Sequence, residues 1–236
     1  MTICSVARLL ICSQALLLGC VPGQFTTVTI YDTPDAFVRL ETDRTVDRDS
    51  GHSHPVNLSS EHMAALLAGV RYDEPLAKLP LYDDLSQPRH HQALTDSEIA
   101  LFAPLLSAAL GKATPEEIVT FYHSTTRSGL QRDVTSGGVY VQGDNLHLVL
   151  ANYRSPTHSS ADIGVADTTD DRLTPLRALA PQRGRLTFEP REAAVETAES
   201  GIVTWFQADK REVVIRYTHV PPRRTGQPPA TTSPHR

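Results

Sequence analysis

The residues best suited to chemistry are histidines and aspartates in loops. His52-x-His54 follows Asp47 and Asp49, and His90-His91 sits in a second polar stretch, so ligand types suited to zinc or copper occur in both. A spacing of two on a loop does not hold both imidazoles on one side, as a helix turn would, so the expectation is a solvated loop and no metal. Asp162, Asp167, Asp170 and Asp171 supply oxygens for calcium, but without the ligand spacing and closing glutamate of an EF-hand. Ser136-Gly137-Gly138 precedes a strand and fits a bulge or tight turn better than a nucleophile elbow. There is no G-x-S-x-G, Ser-x-x-Lys, phosphate loop or dinucleotide fingerprint. No catalytic, cofactor-binding or metal residue is therefore assigned. Two aromatic pairs, Phe121-Tyr122 and Trp205-Phe206, put neighbours on opposite strand faces, so one of each pair can either anchor a contact or lie under another element.

The elements that must position these residues read as follows. Residues 25–31 and 36–41 are strands, separated by the turn residues Asp32-Thr33-Pro34-Asp35, and residues 43–55 form a polar surface loop. A first helix is capped by Ser59, stapled by Leu58 against Met63, and carries Met63, Leu66, Leu67 and Val70 on one stripe. Pro75 and Pro80 bound a loop that runs to His90-His91. A second helix opens with the capping box Thr95-Asp96-Ser97-Glu98 and is apolar almost all round. Pro104 predicts a kink or two short helices, and Gly111 a stop. Residues 118–124 and 185–189 are strands, and residues 137–153 and 202–219 are hairpins; Val213, Ile215 and Tyr217 share one face. Residues 155–181 are rich in proline and aspartate.

Segregated helices and hairpin-linked strands predict an α+β domain over residues 25–220, with a mostly antiparallel sheet built largely after residue 117 and packed against the two central helices. The alternative is two subdomains divided near residue 112. Residues 221–236 contain no large apolar side chain and read as a disordered, proline-rich tail.

At the N-terminus, Arg8 is the only charge in a short leader, and residues 9–18 are apolar except for Ser13 and Gln14. Ten helical residues reach only about 15 Å, half of a bilayer core, so this is an export signal and not a span. Leu16-Leu17-Leu18-Gly19-Cys20 resembles the lipobox of bacterial lipoproteins, in which a small residue precedes a cysteine that is acylated with fatty acid such as palmitate. The resemblance implies that residues 1–19 are a signal peptide, that Cys20 is the lipidation site, and that residues 20–24 are a short tether holding the body against the lipid headgroups. Val21 after the cysteine, where an inner-membrane lipoprotein of enteric bacteria carries aspartate, implies the outer membrane, facing the periplasm, in a Gram-negative host.

All three cysteines, Cys4, Cys12 and Cys20, lie in or at the end of this leader, so the mature body has no disulfide and no thiol chemistry. The chain carries 22 basic and 27 acidic residues. The body is more acidic still, since Arg8 leaves with the leader and Arg223, Arg224 and Arg236 lie in the tail, which argues against nucleic acid. The function expected is a non-enzymatic accessory, assembly or protein-binding component of the envelope. The alternatives are a ligand-binding lipoprotein and a metal-assisted or serine hydrolase using His52, His54 or His90.

Overall fold

The computed structural model describes residues 27–46, 51–74, 89–128, 131–158, 171–181, 184–195 and 212–222. Strands β1 (Val28–Asp32) and β2 (Ala36–Thr42) form a hairpin. Helix α1 (Ser60–Gly69) runs directly into β3 (Val70–Asp73), and β4 (His90–Gln92) precedes α2 (Asp96–Leu110). Then come β5 (Glu117–Ser128), β6 (Gln131–Gln142), β7 (Asn145–His158), β8 (Arg185–Phe188) and β9 (Glu212–Arg216). Among the described residues the strands make a six-stranded sheet, in the order β1-β2-β5-β6-β7-β9, and a three-stranded sheet, β4-β3-β8. Every strand pairing is antiparallel. The fold is α+β.

Period-two alternation decides what each sheet face covers. Val38, Leu40, Val119, Phe121, Val139, Leu148, Val213 and Ile215 point to the helices and share one core with Met63, Leu66, Phe102 and Leu106. This core, and the β2–β5 and β3–β8 pairings, join residues on both sides of residue 112. The opposite face carries Phe37, Tyr122 and Val134, with Leu179 packed on them. Phe121 and Tyr122 are thus both buried, on opposite faces, and neither is an outward anchor.

The helix caps form as expected. Ser59 accepts a hydrogen bond from His62 N at 3.1 Å, and Thr95 and Glu98 complete their reciprocal box. Gly111 ends α2 as expected, at a φ of −71° that any residue adopts, so the stop does not need glycine. Three readings are corrected. Val70 starts a strand because its backbone pairs with Phe188, so the helical stripe ends at Leu67. β9 ends at Arg216 in a turn of 3-10 helix (Tyr217–His219), not at His219. Of the two alternatives at Pro104, the division into two short helices is overturned: helix α2 continues across this proline, whose side chain is exposed, so water can satisfy the carbonyl it leaves unpaired. Pro104→Ala should therefore restore a helical hydrogen bond and raise stability by about 2 kcal/mol, read as a higher urea midpoint at unchanged m.

The leader, the tether, residues 47–50, the first half of the last hairpin with Trp205 and Phe206, and most of the tail lie outside the described residues.

Candidate functional site

The polar loop expected over residues 43–55 is not a solvated loop where it carries its histidines: His52 and His54 are both buried. β6 outruns β5 beyond the Val119–Val139 pair, and the loop occupies the place left over. Ser53 N donates to Val141 O at 2.7 Å, His52 N to Pro115 O at 2.8 Å, and Val141 N to His54 Nε2 at 3.1 Å. His52 Nε2 lies 3.0 Å from Asp43 Oδ2, and its ring sits 4.4 Å from that of Tyr140. Tyr140 stacks in turn on His147 at 4.5 Å. Glu212 Oε1 accepts from both the Tyr140 hydroxyl, at 2.7 Å, and His147 Nδ1, at 2.8 Å. Burial, with Glu212 beside it, pushes the Tyr140 phenol far up. Burial alone would raise the Asp43 carboxyl, but hydrogen bonds from Thr45 and His52 outweigh it and hold it low.

These contacts engage one nitrogen of each loop histidine, and His54 Nδ1 is left buried with no hydrogen-bond partner among the described residues. His54 offers Nε2 to a backbone amide. On β4, His90 and His91 point to opposite faces. His90 lies between Asp73 and Glu189, with Nε2 3.1 Å from Glu189 Oε1, and His91 Nε2 is 2.7 Å from the Tyr153 hydroxyl. Among the described residues no three His, Cys, Asp or Glu side chains are placed to hold a metal ion. Asp47, Asp49, Asp162, Asp167 and Asp170 lie outside those residues. Asp171 is buried, with Oδ1 2.8 Å from Arg132 and Oδ2 accepting from Tyr122 at 3.1 Å, an ion pair and not a free calcium ligand. Burial, then the Asp171 charge, raises the Tyr122 phenol to about 12. Ser136 is buried too, donating to Pro175 O at 2.7 Å and accepting from Asn152 Nδ2 at 2.9 Å.

The His54 site makes stability depend on pH. Burial, then the neighbouring His52 charge, lowers its pKa below the ordinary value of about 6.5. A base with a depressed folded pKa contributes stability that is present above the unfolded value and lost as pH falls towards the folded one. Unfolding free energy should thus decline as pH falls below about 6.5. His54→Gln, whose amide oxygen can still accept from Val141 N, should flatten the slope between pH 6.5 and 5 in urea titrations. An unchanged slope would mean that His54 is not the group responsible.

A second polar constellation sits at the other end of the sheet, around the N-terminus of α2. Glu98 is 5% exposed. Its Oε2 accepts from Thr95 N at 2.8 Å and from Thr95 Oγ1 at 2.9 Å, while Oε1 lies 3.1 Å from His123 Nδ1. Burial alone would raise this carboxyl; the hydrogen bonds from His123 and Thr95 win and hold it below its ordinary value. His123 Nδ1 therefore carries a proton directed at Glu98. Thr135 faces His123 across the β5–β6 ladder. On β7, next to the bulge there, Tyr153 stacks on Tyr72 at 4.0 Å and is bound to His91. Arg154 beside it has a φ of 44°, a backbone state costly for any residue but glycine, and its guanidinium lies 5.2 Å from the Tyr153 ring centre.

The sequence reading missed this constellation because it treated Glu98 only as part of a capping box and His123 only as part of a strand. The signal was there: a capping glutamate on a helix apolar all round is carried into the interior and needs a partner. The chain matches no family model, curated protein or solved structure.

Proposed function

We propose that this is a membrane-anchored lipoprotein of the bacterial envelope, acylated on Cys20, whose body is an accessory or assembly component that binds a partner protein near the bilayer. The observation that carries the reading is the apolar run ending in Gly19-Cys20, only eight residue steps before β1, an edge strand of the large sheet. Eight steps reach at most about 28 Å, so the body stays against the membrane that holds the lipid. The binding role draws support from the polar groups the sequence offered for chemistry. His52, Ser136 and Asp171 are each held in internal hydrogen bonds, and His54 Nε2 in another. In a Gram-negative host the outer membrane, on its periplasmic side, is the expected address.

Cys20→Ala tests the anchor. The wild-type chain should incorporate labelled palmitate and fractionate with membranes, and the variant should do neither. Labelled lipid on the variant would overturn the reading. Crosslinking the wild-type chain in its host tests the partner: an envelope protein should be captured by wild type and lost with Cys20→Ala.

A further inference from the structure

The loop at residues 51–54 stands in for a strand. The β5–β6 ladder ends at the Val119–Val139 pair, so β5 gives Val141 no partner two residues further on. Residues 53 and 54 take that place: Ser53 N donates to Val141 O at 2.7 Å, and Val141 N donates to His54 Nε2 at 3.1 Å. In a strand the second acceptor would be a backbone carbonyl, which does not titrate; here it is an imidazole. Further bonds seat the loop. His52 N donates to Pro115 O and Gly143 N to Ser53 Oγ, both at 2.8 Å, and His52 Nε2 lies 3.0 Å from Asp43 Oδ2.

A proton on His54 Nε2 turns the acceptor into a donor. Nε2–H and Val141 N–H then face each other, and the bond between them is lost. The new charge is also badly placed, because His54 is 6% exposed and its ring lies 5.4 Å from that of His52. The surrounding groups are mixed in sign. Burial, then His52 on the same loop, oppose a charge on His54; the Thr114 and Glu117 backbone and the Glu117 carboxylate, at the start of β5, favour it and are outweighed. Asp43, just after β2, faces His52, and Tyr140 on β6, itself bonded to Glu212, packs against the His52 ring.

We propose that residues 51–54 are an acid-released latch on the sheet: closed while His54 is neutral, they leave Val141 when His54 takes a proton, and the N–H and C=O of Val141 become an open edge at the end of β6. The opening is local, since residues 51–54 give no side chain to the apolar core between sheet and helices. It thus goes further than a global loss of stability in acid, and it does not depend on the anchoring and binding role.

The test is amide exchange of the full chain in detergent, followed residue by residue by NMR at pH 7 and pH 5, with and without low urea. Exchange through a local opening exposes little surface and scarcely responds to urea, whereas exchange through global unfolding responds with the full slope. The amides of Ser53, Val141 and Gly143 should exchange faster than those of Phe102 and Phe121 and without urea dependence. Their opening equilibrium should rise at least about 10-fold from pH 7 to pH 5, as for a base that titrates near its ordinary pKa of about 6.5 only once open. His54→Gln keeps an acceptor and removes the titration, so its local opening should stay level over that range. Urea-sensitive exchange of the three amides at the rate of Phe102 and Phe121 overturns the proposal, and so does a local opening that does not rise in acid. Both outcomes are read on the wild-type chain, so the test is decisive even if His54→Gln does not fold; an equal rise in a folded His54→Gln overturns the proposal as well.

Discussion

Gly137→Ala should destabilise the protein by about 3 kcal/mol or more. A Cβ at this position would lie 2.0 Å from Val149 O and 2.9 Å from Cζ of Phe121. Neither neighbour can yield cheaply. Val149 belongs to β7, the strand hydrogen-bonded to β6, and the Phe121 ring is fully buried in the main core. The methyl must push two central strands apart, an overpacking whose cost lies at the upper end of the usual 1–3 kcal/mol. Gly143→Ala is the comparison. Gly143 turns the β6–β7 hairpin at a φ of 58° with nothing within 4 Å of an added Cβ, so its cost should be about 1 kcal/mol, from the backbone alone. Urea unfolding of the two variants measures both. Equal losses would show that the β6–β7 spacing relaxes and that only backbone conformation matters.

Arg132→Met should cost about 3 kcal/mol, for an electrostatic reason. Asp171 sits against the sheet face opposite the helices, where Arg132 and the Tyr122 hydroxyl hold its two oxygens. Removing the cation leaves a buried carboxylate with one phenol as partner, and such uncompensated charges cost about 3–5 kcal/mol. Methionine keeps the apolar stem, so lost packing contributes little. Adding Asp171→Asn should recover at least half of the loss, because the charge that lacked a partner is gone. If the double variant is no better than the single one, packing of the guanidinium and not charge is what Arg132 supplies. Amide exchange in residues 171–181 should quicken in Arg132→Met, since Asp171 is one of their ties to the sheet, beside the bonds of Arg172 to Asp32 and Thr33 O, the Pro175 O contact with Ser136 and the pair of bonds to Asn152.

Local chemistry made most elements legible in the sequence. Ser59 and Thr95 marked both helix starts because capping is a contest within four residues. β-branched runs marked β2, β5 and β9 because strand faces alternate whatever they pair with. What escaped depends on residues far apart in the chain. The three-stranded sheet joins Val70 to Phe188, and no local signal in a four-residue strand announces such a partner. The burial of His52 and His54 follows from β5 starting late relative to β6, a register that the loop itself does not encode. Glu98 and His123 meet only because α2 lies over β5 with its N-terminus at the far end. Residue types therefore drew attention to the histidines in loops, whereas the one bonded to a buried carboxylate lies on a strand.

Strand direction adds a compass to the anchor. The register Val28–Leu40, Val119–Val139 and Leu148–Val213 puts the start of β1 at the same edge as the start of β5, the β6–β7 turn and the end of β9. Helix α2 ends there too, since Gly111 leads within a few residues into Glu117. If Cys20 is the attachment, this edge is the floor of the molecule, and a twelve-residue strand such as β5 rises about 40 Å above it. A membrane-embedded protein would then meet the Gly143-Asp144 turn and the segment that leaves α2. The opposite end of the sheet, where β5 passes into β6 between Ser128 and Gln131, would face the aqueous compartment above, so the two ends of the tethered body meet different neighbours.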